Sequence, residues 1–84
     1  MTRYHLNVHN QTGSVLDEEG VELPGIDDAR HQAIEGIRDI LSEEVKTGKL
    51  DLRGRIEIAG ADGAVLKTVR FEEALRLHLD RGPP

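Results

Sequence analysis

The chain has 84 residues, a net charge of -5, no cysteine, no tryptophan, one phenylalanine and one tyrosine. A single domain of this size buries only ~60–65% of its unfolded surface, and here neither a disulfide nor a thiolate zinc site can support it. The acidic balance argues against a phosphate-neutralising surface, and the scarcity of rings argues against a base-stacking platform.

Arg3 to His9 alternates, with Tyr4, Leu6 and Val8 on one side and Arg3, His5, Asn7 and His9 on the other. That is the pattern of a half-buried strand. Asn10-Gln11-Thr12-Gly13 is turn chemistry, and Ser14–Asp17 reads as a second strand paired back as a hairpin. Asp17-Glu18-Glu19-Gly20 interrupts that strand, Val21-Glu22-Leu23 extends it, and Pro24-Gly25 stops it. Asp27 suits a helix N-cap and Asp28 the positive helix end. Ala29, Ala33, Ile34, Ile37, Ile40, Leu41 and Val45 then recur at three and four residues, an apolar stripe of ~160°. Lys46 complements the helix C-terminus and Gly48 is the natural left-handed stop. Gly36 falls on the polar side of this wheel.

Arg55–Ala59 and Ala64–Arg70 read as two strands joined through Asp62-Gly63. Two registers compete. A two-residue turn pairs Ile58 with Lys67 and Ile56 with Val69, which sets Lys67 on the core face. A three-residue loop, Ala61-Asp62-Gly63, pairs Ile58 with Leu66 and Glu57 with Lys67. The second is expected, because it avoids burying an ammonium and makes a cross-strand ion pair. It leaves Ala59, Val65 and Val69 as an apolar patch on the outer sheet face, a candidate self-association surface. Phe71, Ala74, Leu75, His78 and Leu79 share a face if a last short helix forms, and that helix could fold over the patch. Residues 1–80 are expected to be one domain and 81–84 a disordered tail. The predicted fold is α+β: ββαββ with a short C-terminal helix. Its sheet is four-stranded and mainly antiparallel, with the long helix packed on one face.

Chemistry-bearing residues are sparse. His5 and His9 sit roughly 13 Å apart at ~3.3 Å per strand residue, too far to share a metal ligated at about 2 Å. His31 and His78 lie on separate predicted helices. The strip of Arg3, His5, Asn7 and His9 remains a candidate partner contact. Glu35, Asp39 and Glu43, at i, i+4 and i+8, make an acidic stripe on the exposed helix side. Like charges at that spacing repel, so the stripe does not serve helix stability; it is a second candidate partner surface, or simply a solvated face. Asp17-Glu18-Glu19-Gly20 lacks the twelve-residue calcium-loop spacing. Gly60-Ala61-Asp62-Gly63 lies between two strands, where no helix N-terminus can help to hold a phosphate. No serine or threonine stands in a nucleophile motif.

Several segments together resemble a family of small bacterial proteins defined only as a domain of unknown function. They are Arg3-Tyr4-His5-Leu6, then Asp17-Glu18-Glu19-Gly20-Val21-Glu22-Leu23, then the helix with alanines at 29 and 33. Arg55-Ile56-Glu57-Ile58, Asp62-Gly63 and Val69-Arg70-Phe71 with Ala74-Leu75 complete the set. Leu6 stands where a second aromatic is common. The resemblance implies no catalytic residue.

The expectation is therefore a small non-catalytic interaction or regulatory module that self-associates or binds a protein partner, with no cofactor and no metal. Direct nucleic-acid binding is not expected. No apolar run approaches eighteen residues, so no membrane span is expected. Alternating polar residues follow Met1-Thr2-Arg3 in place of an apolar signal core, which makes the cytoplasm the expected location. Two alternatives follow in order. An antitoxin-like or nucleic-acid-linked regulator would show a salt-dependent shift with DNA or RNA. A small enzyme would need a pocket that so short a chain has few residues to line.

Overall fold

The computed structural model describes residues 1–79, so the expected domain end at 80 and tail at 81–84 lie outside the described residues. Five strands form one antiparallel sheet: β1 (Thr2–Asn10), β2 (Gly13–Val15), β3 (Val21–Leu23), β4 (Arg55–Ala59) and β5 (Val65–Arg70), with the helix α1 (Ile26–Lys46) between β3 and β4. The order is β2-β1-β4-β5, and β3 also pairs with β1. The predicted second strand is thus two strands. β2 pairs with the C-terminal part of β1 (Val8↔Val15, Asn10↔Gly13) and β3 with its N-terminal part (Thr2↔Leu23, Tyr4↔Val21).

α1 covers one face of the sheet. Ala29, Ala33, Ile34, Ile37 and Leu41 are its buried residues; the two alanines are among the five core residues with no exposed surface. They pack with Tyr4, Ile56, Ile58, Val69, Phe71 and Ala74. No polar or charged residue is buried among the described residues. The helix starts one residue before the predicted cap. Gly25, whose carbonyl accepts from Ala29 N–H at 3.2 Å, is the N-cap, and Asp27 and Asp28 both lie in the first turn. There their charge still favours the positive helix end. The end is as expected, with Thr47 as C-cap and Gly48 at φ +82°. Gly36 is not on the solvent side: a Cβ there would stand 3.9 Å from Ile56 Cδ1, in ordinary contact with the sheet.

The connection from α1 to β4 is pinned by side chains. Glu44 Oε1 accepts from Asp51 N–H at 3.0 Å, and Asp51 receives Arg53 Nε and Nη2 at 3.0 and 2.9 Å. Those Arg53 side-chain bonds, with its backbone N–H, hold the Asp51 carboxyl down at about 2.

The second hairpin mixes both candidate registers. Its loop is the expected one, closed by Gly60 N–H to Ala64 O at 2.9 Å and Gly63 N–H to Gly60 O at 3.0 Å, and Ala59 pairs with Val65. A bulge between Ile58 and Ala59 then shifts the ladder, so that Ile58 faces Lys67, Glu57 faces Thr68 and Ile56 faces Val69. The expected pairing of Glu57 with Lys67 is therefore absent. The bulge turns Val69 into the core at 0% exposure. Lys67 stays exposed because β5 is the edge strand, so the feared burial of its ammonium does not arise.

The expected C-terminal helix is a single 3-10 turn, Phe71–Ala74. Leu75 is already extended, at φ -127° and ψ 151°. Phe71 packs inward rather than over the outer face: it is 1% exposed and its N–H donates to Gly54 O at 3.0 Å. A Cβ on Gly54 would lie 2.7 Å from the Phe71 ring, so glycine is what lets the ring in. The turn is tied to α1 by Arg38 Nε to Ala74 O at 2.9 Å and by Arg30 to Glu73 at 3.3 Å. Glu73 Oε2 also accepts from Arg70 N–H at 2.7 Å. That backbone bond, then Arg30, lowers the carboxyl's pKa.

Candidate interaction surface

With α1 on one face, the opposite face of the sheet is uncovered. The register brings together there His5 beside Ala59, Asn7 beside Glu57, and His9 beside Arg55, with Val65 and Thr68 on the next strand. Of the β1 residues predicted as a partner strip, His5, Asn7 and His9 are half-buried and Arg3 is exposed, and each has a partner within the chain.

Their chief task is to hold Asp17. Between the two pairings along β1's edge, three residues of β1 (5–7) face five of the returning chain (16–20). The surplus forms a buckle, and its ladder is replaced by side chains. Asp17 Oδ2 accepts from Leu6 N–H at 3.1 Å and Oδ1 from Gly20 N–H at 3.0 Å. Asp17 N–H donates to Asn7 Oδ1 at 2.8 Å, and Arg3 Nη1 donates to Glu19 O at 2.6 Å. Gly20 returns the chain at φ +75°, where a Cβ would stand 2.9 Å from Tyr4 O. The Asp17–Gly20 segment is thus a bent piece of strand edge rather than an ion-binding loop. His5 Nδ1 lies 2.7 Å from Asp17 O. A carbonyl only accepts, so Nδ1 carries the proton and the neutral ring keeps its lone pair on Nε2.

His9 ties three strands. Its Nδ1 is 2.7 Å from Ser14 Oγ on β2, and its buried Nε2 is 3.0 Å from Glu57 Oε1 on β4, close but out of line for a hydrogen bond. Glu57 also takes Arg55 Nε at 3.1 Å. The hydroxyl, imidazole and carboxylate lie in a row. None of the three lines the depression on this face, so the row acts as a cross-strand clamp.

That depression is an open hollow of about 260 Å³ between the Asp17 buckle and the second hairpin. Ala59 is its floor, 3% exposed, and Leu16, Glu18, His5, Asn7 and the Gly60–Gly63 loop are its walls. Val65 lies beside Ala59 in register and is 52% exposed, and Leu16 is 62% exposed. The expected self-association trio is therefore corrected. Val65 is exposed and Ala59 forms the floor, but Val69 is in the core because the bulge, which leaves Leu66 unpaired between Val65 and Lys67, reverses its direction. Leu16, which the sequence reading passed over, takes its place. Its signal was an isolated leucine between a short strand and an acidic turn.

The second candidate surface, Glu35, Asp39 and Glu43, is exposed along α1. Lys46 Nζ, 3.0 Å from Glu43, partly neutralises it, and His31 Nε2 lies 3.1 Å from Glu35. Among the described residues no group of three or more His, Cys, Asp or Glu side chains could hold a metal ion, and no helix is long and apolar enough to cross a membrane.

The architecture is that of a small α+β domain, with one long helix on one face of an open antiparallel sheet. The chain belongs to the family described as Domain of unknown function (DUF6894), whose model matches residues 3–72. No curated protein and no solved structure matches it.

Proposed function

We propose that this chain is a small non-catalytic interaction module that self-associates, and that the outer face of its sheet is the working surface. The observation that carries the reading is the asymmetry of the sheet: α1 seals one face, while the other keeps an open hollow with Leu16 and Ala59 in its lining and exposed Val65 beside it. An exposed apolar patch on a small acidic protein is a site for another surface. At about 260 Å³ the hollow falls below the ~300–1,000 Å³ of small-molecule pockets. It suits one or two side chains of a polypeptide. Light scattering across a wide concentration range tests the reading. The unmodified protein is expected to run as a dimer, and Leu16→Lys with Val65→Lys as a folded monomer. If the double variant keeps both the fold and the mass of the parent, this surface is not the interface.

A further inference from the structure

The residues after the 3-10 turn have a pattern that the fold leaves unused. Leu75, Leu77 and Leu79 alternate with Arg76 and His78, the period of a strand. Leu75 is extended and packs against the core, whereas Leu77 is 57% and Leu79 73% exposed. None of residues 75–79 pairs with a strand of its own chain. This is an amphipathic extended segment without a surface to lie on.

The hollow on the outer face matches it in size and charge. It takes one or two aliphatic side chains, and Glu18 stands at its rim. Neither Glu18 nor Arg76 has an ion-pair partner among the described residues. Resting on the self-association reading above, we propose that residues 75–79 of one copy lie across the outer-face hollow of a second copy. Leu77 and Leu79 sit against Leu16, Ala59 and Val65, and Arg76 lies beside Glu18.

The segment cannot serve its own hollow. It leaves from the 3-10 turn, which is tied to α1 on the covered face and follows the last residue of β5. The hollow lies on the opposite face, beside the hairpin where β5 begins. Five strand steps separate the ends of β5 by about 17 Å, and the helix and sheet layers are about 10 Å apart. Leu75 is packed against the core, and Leu77 lies only two residues, about 7 Å, beyond it. A second copy removes the restriction, and a two-fold axis lets each copy supply one segment and one hollow.

Because the chain has no cysteine, the arrangement can be read directly by disulfide trapping. Leu16→Cys and Leu77→Cys are made in separate full-length copies, mixed and oxidised. A covalent Leu16→Cys/Leu77→Cys heterodimer is expected, with little product when Leu50→Cys replaces Leu16→Cys. Trapping equal to the Leu50→Cys control would overturn the proposal. In light scattering, Leu77→Asp with Leu79→Asp should give a folded monomer. A dimer that survives these changes would overturn segment exchange while leaving self-association standing; a strict monomer of the unmodified protein would overturn both. Glu18→Arg should raise the dimer dissociation constant about two- to fivefold, and adding Arg76→Glu should restore it. Failure of that restoration counts against the Arg76–Glu18 placement.

Discussion

The two faces of the sheet are held by different means. The covered face is apolar throughout: α1, Ile56, Ile58, Val69 and Phe71 meet with no buried polar group. The outer face is held by polar side chains that stand in for missing ladder bonds, with Asp17, Asn7 and Arg3 securing the buckle and His9 joining Ser14 to Glu57. The covered face depends on volume and the outer face on geometry. A substitution on the first should be felt as lost stability, and one on the second as a local loss of order at β1's edge.

Phe71→Ala should break the comparison most strongly. It removes the only phenylalanine from a site 1% exposed, and should cost about 3–5 kcal/mol in denaturant unfolding. Asp17→Ala strips the acceptors of Leu6 and Gly20 N–H. A cost of about 1–3 kcal/mol is expected, with amide exchange accelerated first at Leu6 and Gly20. A uniform rise over the whole sheet would mean that the buckle is not a separate unit. Gly36→Ala sharpens the comparison from the covered side. The added methyl meets Ile56 Cδ1 at ordinary distance in a helix interior, so a gain of up to about 1 kcal/mol is expected; a loss would show that the helix sits closer to the sheet.

The smallest effect is acid dependence. Asp51 is lowered from 3.8 to about 2 and Glu73 is also lowered, so each binds its proton less readily folded than unfolded. Their contribution is complete at neutral pH. For Asp51 it fades as pH falls from 3.8 toward about 2. Glu73 is exposed, and Asp51 is half-buried beside an exposed Arg53, so solvent screening keeps the effect small. Asp51→Asn should flatten the stability profile in that interval and lower stability slightly at neutral pH, where the carboxylate's contribution is complete.

How far the sequence reads depends on how local each determinant is. The alternation of β1, the helix stripe and the Asp62-Gly63 loop are short-range patterns, and all three appear in the fold, except that Val45 at the end of the stripe is 56% exposed. The Leu66 bulge is decided by whether Val69 or an outward patch wins the core, which no local pattern encodes. The segment after Phe71 carries two periods at once. Phe71, Ala74, Leu75 and His78 suit a helix, while Leu75, Leu77 and Leu79 suit a strand; beyond Ala74 the second prevails. Asp17 reads as an ordinary turn acid until its partners appear, because Leu6 and Asn7 are eleven and ten residues away. Of the candidate surface, Ala59 and Val65 were legible from register alone. Leu16 and the hollow needed the three-against-five mismatch along β1.

That mismatch also governs how copies can aggregate. A long bare strand edge invites end-on growth, each added chain exposing a fresh edge. Here one border of the sheet is broken into three-residue pieces around a carboxylate that already occupies the amide an incoming strand would need. Among the described residues only β5 offers a longer run, six residues carrying Lys67 and Arg70. Two copies that joined along β5 would leave only broken borders outside, so growth by edge pairing stops at a pair and does not continue into a fibre.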